Sequence, residues 1–234
     1  MKIRYLFKSI IGLMLLMEVC STVLAAGTKA IAVVLTTKGT AEIRKVEAKA
    51  WTALKFGVVL DDGDRLRTGE DGFVALVFTD DKSQIKIRPA TEITVNAERN
   101  ADYSLAKSIN MQIGELFADV KKQKGSLQVA TPTSVASVKG TEFWVLVGPD
   151  GETQVLTLQG AIELLSILTG QQVEVIAGAL GTVEVNGTIT IGTYEVTRIP
   201  QLPEELQNPP VIEINFRDAN GNQKRLIIEY DIQE

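Results

Sequence analysis

Histidine is absent from all 234 residues, and the chain holds one cysteine, Cys20. Without histidine there is no Ser-His-Asp triad and no Cys-His nucleophile. The usual nitrogen and sulfur ligands of zinc, copper and haem iron are missing as well, so no cofactor is expected. The chemistry that survives is that of carboxylates, of serine with lysine, or of an oxygen-only calcium site. Basic residues are also in deficit, 24 against 29 acidic, and they form no cluster. Such a chain is a poor partner for nucleic acid and has no electrostatic reason to lie on anionic lipid. Beyond the first 26 residues no apolar run approaches the length of a membrane span, so the mature chain is expected to have no transmembrane segment.

The N-terminus predicts export. Lys2, Arg4 and Lys8 precede the apolar run Ile10–Met17, and Val23-Leu24-Ala25-Ala26-Gly27 supplies small residues for a signal peptidase. Positive start, short apolar segment and small-residue exit make residues 1–26 a signal peptide, cut after Ala25 or Ala26. Glu18 interrupts the run and leaves it too short to span a bilayer. Lipidation of Cys20 would need a small residue before it, and Glu18-Val19 fit that poorly. After cleavage no cysteine remains, so the exported chain is stabilised by burial without disulfides. Its charge balance becomes 21 basic against 28 acidic, or −7. The expected location is the periplasm or the extracellular medium.

The remaining 208 residues read as strand. Ala30–Leu35, Phe73–Phe78 and Phe143–Val147 are short continuous runs of β-formers, suited to strands buried on both faces. Ile85-Lys86-Ile87-Arg88, Leu156-Thr157-Leu158-Gln159 and Val173-Glu174-Val175 alternate, as strands with one wet face do. Turn signals such as Asp61-Asp62-Gly63-Asp64, Asp71-Gly72, Gly148-Pro149-Asp150-Gly151 and Asn186-Gly187 recur between them. Glu42–Leu54 reads as strands around a turn. Many short strands at this spacing predict an all-β fold, a β-sandwich or jelly-roll-like wrapped sheet over residues 27–199. Pro200, Pro203, Pro209 and Pro210 bracket a linker at 200–210, because proline removes a ladder donor. Two apolar strands around Asn220-Gly221 then predict a β-hairpin within 211–234.

Several ordered motifs carry a family resemblance. Trp51, Leu54, Gly57, the turn Leu60–Gly69 containing Gly63, Asp64, Thr68 and Gly69, and the strand Phe73–Phe78 come first. Ile87–Ile93 and Gly114–Phe117 follow. The most specific segment is Gln128–Phe143, which includes Thr131, Pro132, Lys139, Gly140, Thr141 and Phe143. Gly160, within Leu158–Glu163, and Gly178, within Val175–Gly178, close the series. This pattern resembles the FecR domain over about Lys38–Val185. The resemblance implies a wrapped β domain and a binding or scaffolding role outside the cytoplasm. The best-known members are inner-membrane proteins that pass a signal to a sigma factor. They carry a cytoplasmic segment and a transmembrane helix that this sequence does not show, so that role does not transfer directly.

Read physically, these motif residues make the fold. Gly63 and Gly69 lie in polar turns where positive φ is often needed. Gly140 between two apolar segments suggests a bulge or close backbone approach, with the Thr141 hydroxyl on a freed backbone group. Asp61, Asp62 and Asp64 could be drawn as calcium ligands. Their spacing is not that of an EF-hand, and Arg65 and Arg67 stand ready to neutralise them. Glu115 and Asp119 could be drawn as a glycosidase pair, but an acidic β protein offers many such pairs. Trp51 and Trp144 could stack a sugar; core packing is the better reading of Trp144. Lys121-Lys122-Gln123-Lys124 reads as a solvated loop. The chain is therefore expected to be a non-catalytic exported module that binds a protein or an envelope polymer. A regulator of envelope signalling, or a carboxylate-dependent glycan hydrolase, are the alternatives.

Overall fold

The computed structural model describes residues 30–122, 125–194, 200, 202, 212–217 and 223–228. The expected signal peptide with Cys20, nearly all of the expected 200–210 linker and the expected Asn220-Gly221 turn lie outside the described residues. Two compact units are formed, Met1–Thr193 and Tyr194–Glu234. The second contains a pair of antiparallel strands, Ile212–Arg217 and Gln223–Ile228.

Within the first unit every regular element is a strand, among the described residues. In chain order they are β1 (Ala32–Lys38), β2 (Ala41–Arg44), β3 (Thr52–Ala53), β4 (Val59–Leu60), β5 (Asp64–Thr68) and β6 (Phe73–Phe78). Next come β7 (Gln84–Ile87), β8 (Glu92–Arg99), β9 (Leu105–Asp119), β10 (Ser126–Ala130), β11 (Ser134–Val138) and β12 (Glu142–Val147). The unit closes with β13 (Thr153–Gln159), β14 (Ala161–Ser166), β15 (Gln172–Ile176), β16 (Ala179–Val183) and β17 (Ile189–Thr193).

Pairing sorts these strands into two layers that share β9. Sheet A has the order β4-β1-β6-β7-β9-β12-β13-β16-β17. Sheet B has the order β3-β2-β5-β8-β9-β10-β11-β14-β15. The β9–β10 pair is parallel, so the assembly is mixed, and it wraps without closing into a barrel. This is the wrapped all-β sheet expected from the sequence.

The passage of β9 between layers explains its length. Leu105–Asn110 pair with β8 and β10, whereas Gly114–Asp119 pair with β7 and β12. Gly114 makes the bend at φ 109°, where a Cβ would lie 2.2 Å from Thr91 Oγ1 and 2.6 Å from Thr91 Cα. Only glycine fits that corner.

The main core lies between the layers and is built from inward aliphatic side chains. Leu66, Leu76, Ile85, Ile93, Ile109, Leu116, Val129 and Val155 are all essentially inaccessible. A second buried row stands outside this cluster. Ala75, Lys86, Phe117, Trp144 and Leu156 are in register across β6, β7, β9, β12 and β13, and alternate along each strand with core residues. Period-two alternation therefore places them on the opposite face of sheet A.

That row corrects part of the sequence reading. Lys86 was expected on a wet face, yet it is 4% exposed, with its ammonium 5.3 Å from the Phe117 ring centre. Thr157 is likewise buried, its hydroxyl donating to the Val175 carbonyl at 3.0 Å. Alternation shows that a strand has two faces, but not that the polar one reaches water.

Candidate functional site: motif corners and two grooves

The motif residues gather at corners where strands change direction or layer. At the first, Gly63 takes φ 83° and donates its amide to Val95, while Asp64 is 1% exposed. Asp64 accepts from the Asp61 amide at 2.9 Å and from Lys45 Nζ at 2.6 Å. Lys45 also donates to Asp61 at 3.0 Å and to the Val59 carbonyl at 2.8 Å. Asp62 accepts from the Ala97 amide at 2.9 Å. The expected neutralising partners were Arg65 and Arg67. They turn instead to Glu92 and Glu42, because alternation carries them to the other face of β5. Lys45, fourteen or more residues upstream, carried no local signal for this role. No group of carboxylates suited to a metal ion forms among the described residues.

Thr68 and Gly69 lock the next corner. The Thr68 hydroxyl donates to the Arg88 carbonyl at 2.6 Å and accepts from the Thr91 amide at 3.0 Å. Gly69 does not need positive φ, contrary to expectation. It is glycine because a Cβ would stand 2.9 Å from the Thr40 Cβ.

Thr131 and Pro132 form the corner between β10 and β11. Thr131 Oγ1 accepts from the Thr153 hydroxyl at 2.8 Å and the Ser134 amide at 3.0 Å, and Thr133 donates to Gly151 O at 2.9 Å. Buried hydroxyls that satisfy one another in this way fix a unique corner geometry. Gly151, at the end of the expected Gly148–Gly151 turn, is buried at φ 91° beneath Pro132.

The remaining motif residues meet between β11 and β12. Gly140 takes φ 85°, and a Cβ there would lie 3.4 Å from the Lys122 Cα. Thr141 exchanges backbone hydrogen bonds with Val120, and its hydroxyl donates to the Ala161 carbonyl at 3.2 Å. A Cβ on Gly160 would come within 3.0 Å of the Gly140 carbonyl. Phe143 enters the core, Lys139 is exposed, and Gly178 takes φ 85° in open space.

Beside this corner lies an ionic cluster that sequence did not single out. Glu142 sits directly opposite Asp119 in the ladder, two positions along from the row of Lys86 and so on the same face. Burial and the Asp119 charge hold the Glu142 carboxyl above its ordinary range, against attraction from Lys121 and Lys86. Burial holds the Lys86 ammonium below its ordinary value, opposed by Asp119 and Glu142. Asp119 is bound by Lys121 at 2.8 Å and Glu115 by Arg88 at 3.2 Å. Trp144 packs on Phe117 with ring centres 5.2 Å apart, and half-buried Trp51 has the guanidiniums of Arg44 and Arg67 at 5.0 and 4.4 Å from its ring centre.

Two open grooves flank these features. One, of about 390 Å³, is lined by Pro89, Ala90, Ile113, Glu115, Leu146 and Glu152 among others. The other, of about 560 Å³, is lined by Asp80, Asp81, Arg99, Asp102, Tyr103 and Lys122 with Thr79 and Ser104. Each contains a non-glycine residue at positive φ: Ala90 at 53° in the first and Tyr103 at 66° in the second. Such backbone is uncommon and clusters at functional surfaces.

Fold and corners together define an all-β domain of the wrapped-sheet class. Residues 64–163 match the family described as FecR protein. Among solved structures, that of a candidate anti-sigma factor from Parabacteroides distasonis ATCC 8503 superposes with a TM-score of 0.50 at 16% identity. The match covers 58% of this chain and 62% of that one, and the likeness is one of fold. A second structure from the same organism, described in the same words, gives 0.48 at 14% identity over 67% and 70% of the two chains. The curated proteins yield no match.

Proposed function

We propose that this chain is a non-catalytic FecR-domain module that acts outside the cytoplasm by binding a protein or an envelope polymer. The observation that carries the reading is how its motif residues are used. Thr68, Thr131 and Thr141 hold backbone at corners, and Asp64 is held by Lys45. The carboxylates that could be drawn as catalytic, Glu115 and Asp119, are each held by a cation. What the scaffold presents outward is the groove at the β9 bend, where Ile113 is 40% exposed beside Glu115 and Leu146. A half-apolar groove with a few fixed charges suits recognition.

Export supports the same reading and has its own check. The purified exported protein should begin at Ala26 or Gly27 by intact mass; an uncleaved start or a lipidated Cys20 would contradict it. For the binding role, a photo-crosslinking residue placed at Ile113 should give a discrete adduct in cells, and one placed at exposed Lys139 should not. Equal labelling from both positions would refute the groove as the contact surface.

A second reading, regulation of signalling across the envelope, is favoured by the family match itself. Among the described residues no helix is long and apolar enough to cross a membrane. Deletion of the gene should leave sigma-dependent reporters unchanged under the first reading and shift one of them under the second.

A further inference from the structure

The two layers end in edges of unequal kind. β3 and β4 are two residues each, too short to template another strand. At the opposite end β15 carries Glu174, a charge of the kind that guards an edge. β17 has no such guard. Its sequence Ile189-Thr190-Ile191-Gly192-Thr193 holds no charge, no proline and no bulge, and its described ladder partner is β16 alone. Thr190, Ile191, Gly192 and Thr193 are exposed.

Ile191 is 49% exposed although it belongs to the inner side. Its Cδ1 lies 3.5 Å from where a Cβ on Gly181 would stand, a place also bordered by Leu164 and Val175. The core is therefore half open at this edge, beside Ile191.

We infer that β17 is a docking edge for a second copy of this chain, paired antiparallel about a two-fold axis at Ile191. That register sets Ile191 opposite its own counterpart, Thr190 opposite Gly192, and Ile189 opposite Thr193. Every pair is neutral, so an acidic chain meets its copy along a strip free of charge repulsion. A second copy also brings an identical half-open core mouth, apolar against apolar. A bare peptide strand would lengthen sheet A and leave that mouth uncovered. The contact is isologous and so closes at the dimer.

The full chain, exported and purified, should be a dimer by light scattering, with amides of residues 189–193 protected from exchange in a concentration-dependent manner. Ile191→Lys and Ile191→Glu should each give folded monomers by circular dichroism. An equimolar mixture of the two should recover the dimer, because the lysine of one copy then faces the glutamate of the other. Thr190→Lys, on the other side of the same strand, should give the same loss without touching the core mouth. A wild-type monomer at all concentrations, a dimer that survives both Ile191 variants, or a mixture that fails to reassociate would each overturn the inference. So would a one-to-one complex in which β17 is occupied by a different protein.

Discussion

Glu142 and Asp119 face one another across the β12–β9 ladder, a placement in which like charges are unfavourable. Because the folded chain holds the Glu142 proton above the ordinary value near 4.5, its favourable contribution is complete below that value and lost as pH rises through the folded one. Glu142→Gln should therefore raise the thermal midpoint at pH 7, and the gain over wild type should shrink to nothing below pH 4.5. A variant less stable than wild type at neutral pH would show that Lys86 and Lys121 outweigh the repulsion. At Gly140 the question is strain. Gly140 and Gly178 share φ 85°, but only Gly140 has neighbours in the way. Gly140→Val should cost about 1–3 kcal/mol from its backbone conformation and exceed Gly178→Val through contact with Lys122. Equal losses in urea denaturation would remove the close approach from the explanation.

Strand β9 ties the layers together, and two of its residues show how. Gly114 supplies the bend; Gly114→Ala drives a methyl into Thr91 and should cost about 2–5 kcal/mol from strain plus overpacking. Lys107, 1% exposed, reaches from sheet B to the β6–β7 turn, where it contacts Asp80 at 2.9 Å and Asp81 at 2.6 Å. Burial pushes the Asp80 carboxyl upward, but the Lys107 ammonium and the Leu105 amide prevail and hold it below its ordinary value of 3.8. That stabilisation is present above 3.8 and lost as pH falls through the folded value. Lys107→Met leaves two carboxylates at a buried site without their cation and should cost about 3–5 kcal/mol in chemical denaturation at pH 7. A loss under 1 kcal/mol would mean that water takes the place of the ammonium.

These elements also mark what the sequence discloses. β6 and β12 were legible because continuous runs of Phe, Val, Leu and Trp admit few other readings. The motif glycines were legible as corners, but the reason at each one was not: Gly63 needs its φ, whereas Gly69 needs space beside Thr40. Long-range partners left no local trace. Lys45 with Asp61 and Asp64, and Lys107 with Asp80 and Asp81, are separated by 16 to 27 positions and joined only by topology. The burial of Lys86 was hidden for the same reason, since alternation reports two faces and not what lies over them.

At the scale of the whole molecule, a wrapped sheet of 17 strands among the described residues is held by corners built from the motif residues. Such a scaffold leaves binding to its grooves and edges, and the central claim is that binding, without chemistry, is what the chain does. The most direct test is capture from envelope extract by immobilised exported protein, with Ile113→Asp as the matched control and glycan turnover assayed on the same preparation. The account predicts a retained protein or polymer that is lost in the Ile113 variant, with no turnover by either. Turnover that disappears on Glu115→Gln or Asp119→Asn, with nothing retained by the folded wild type, would contradict it.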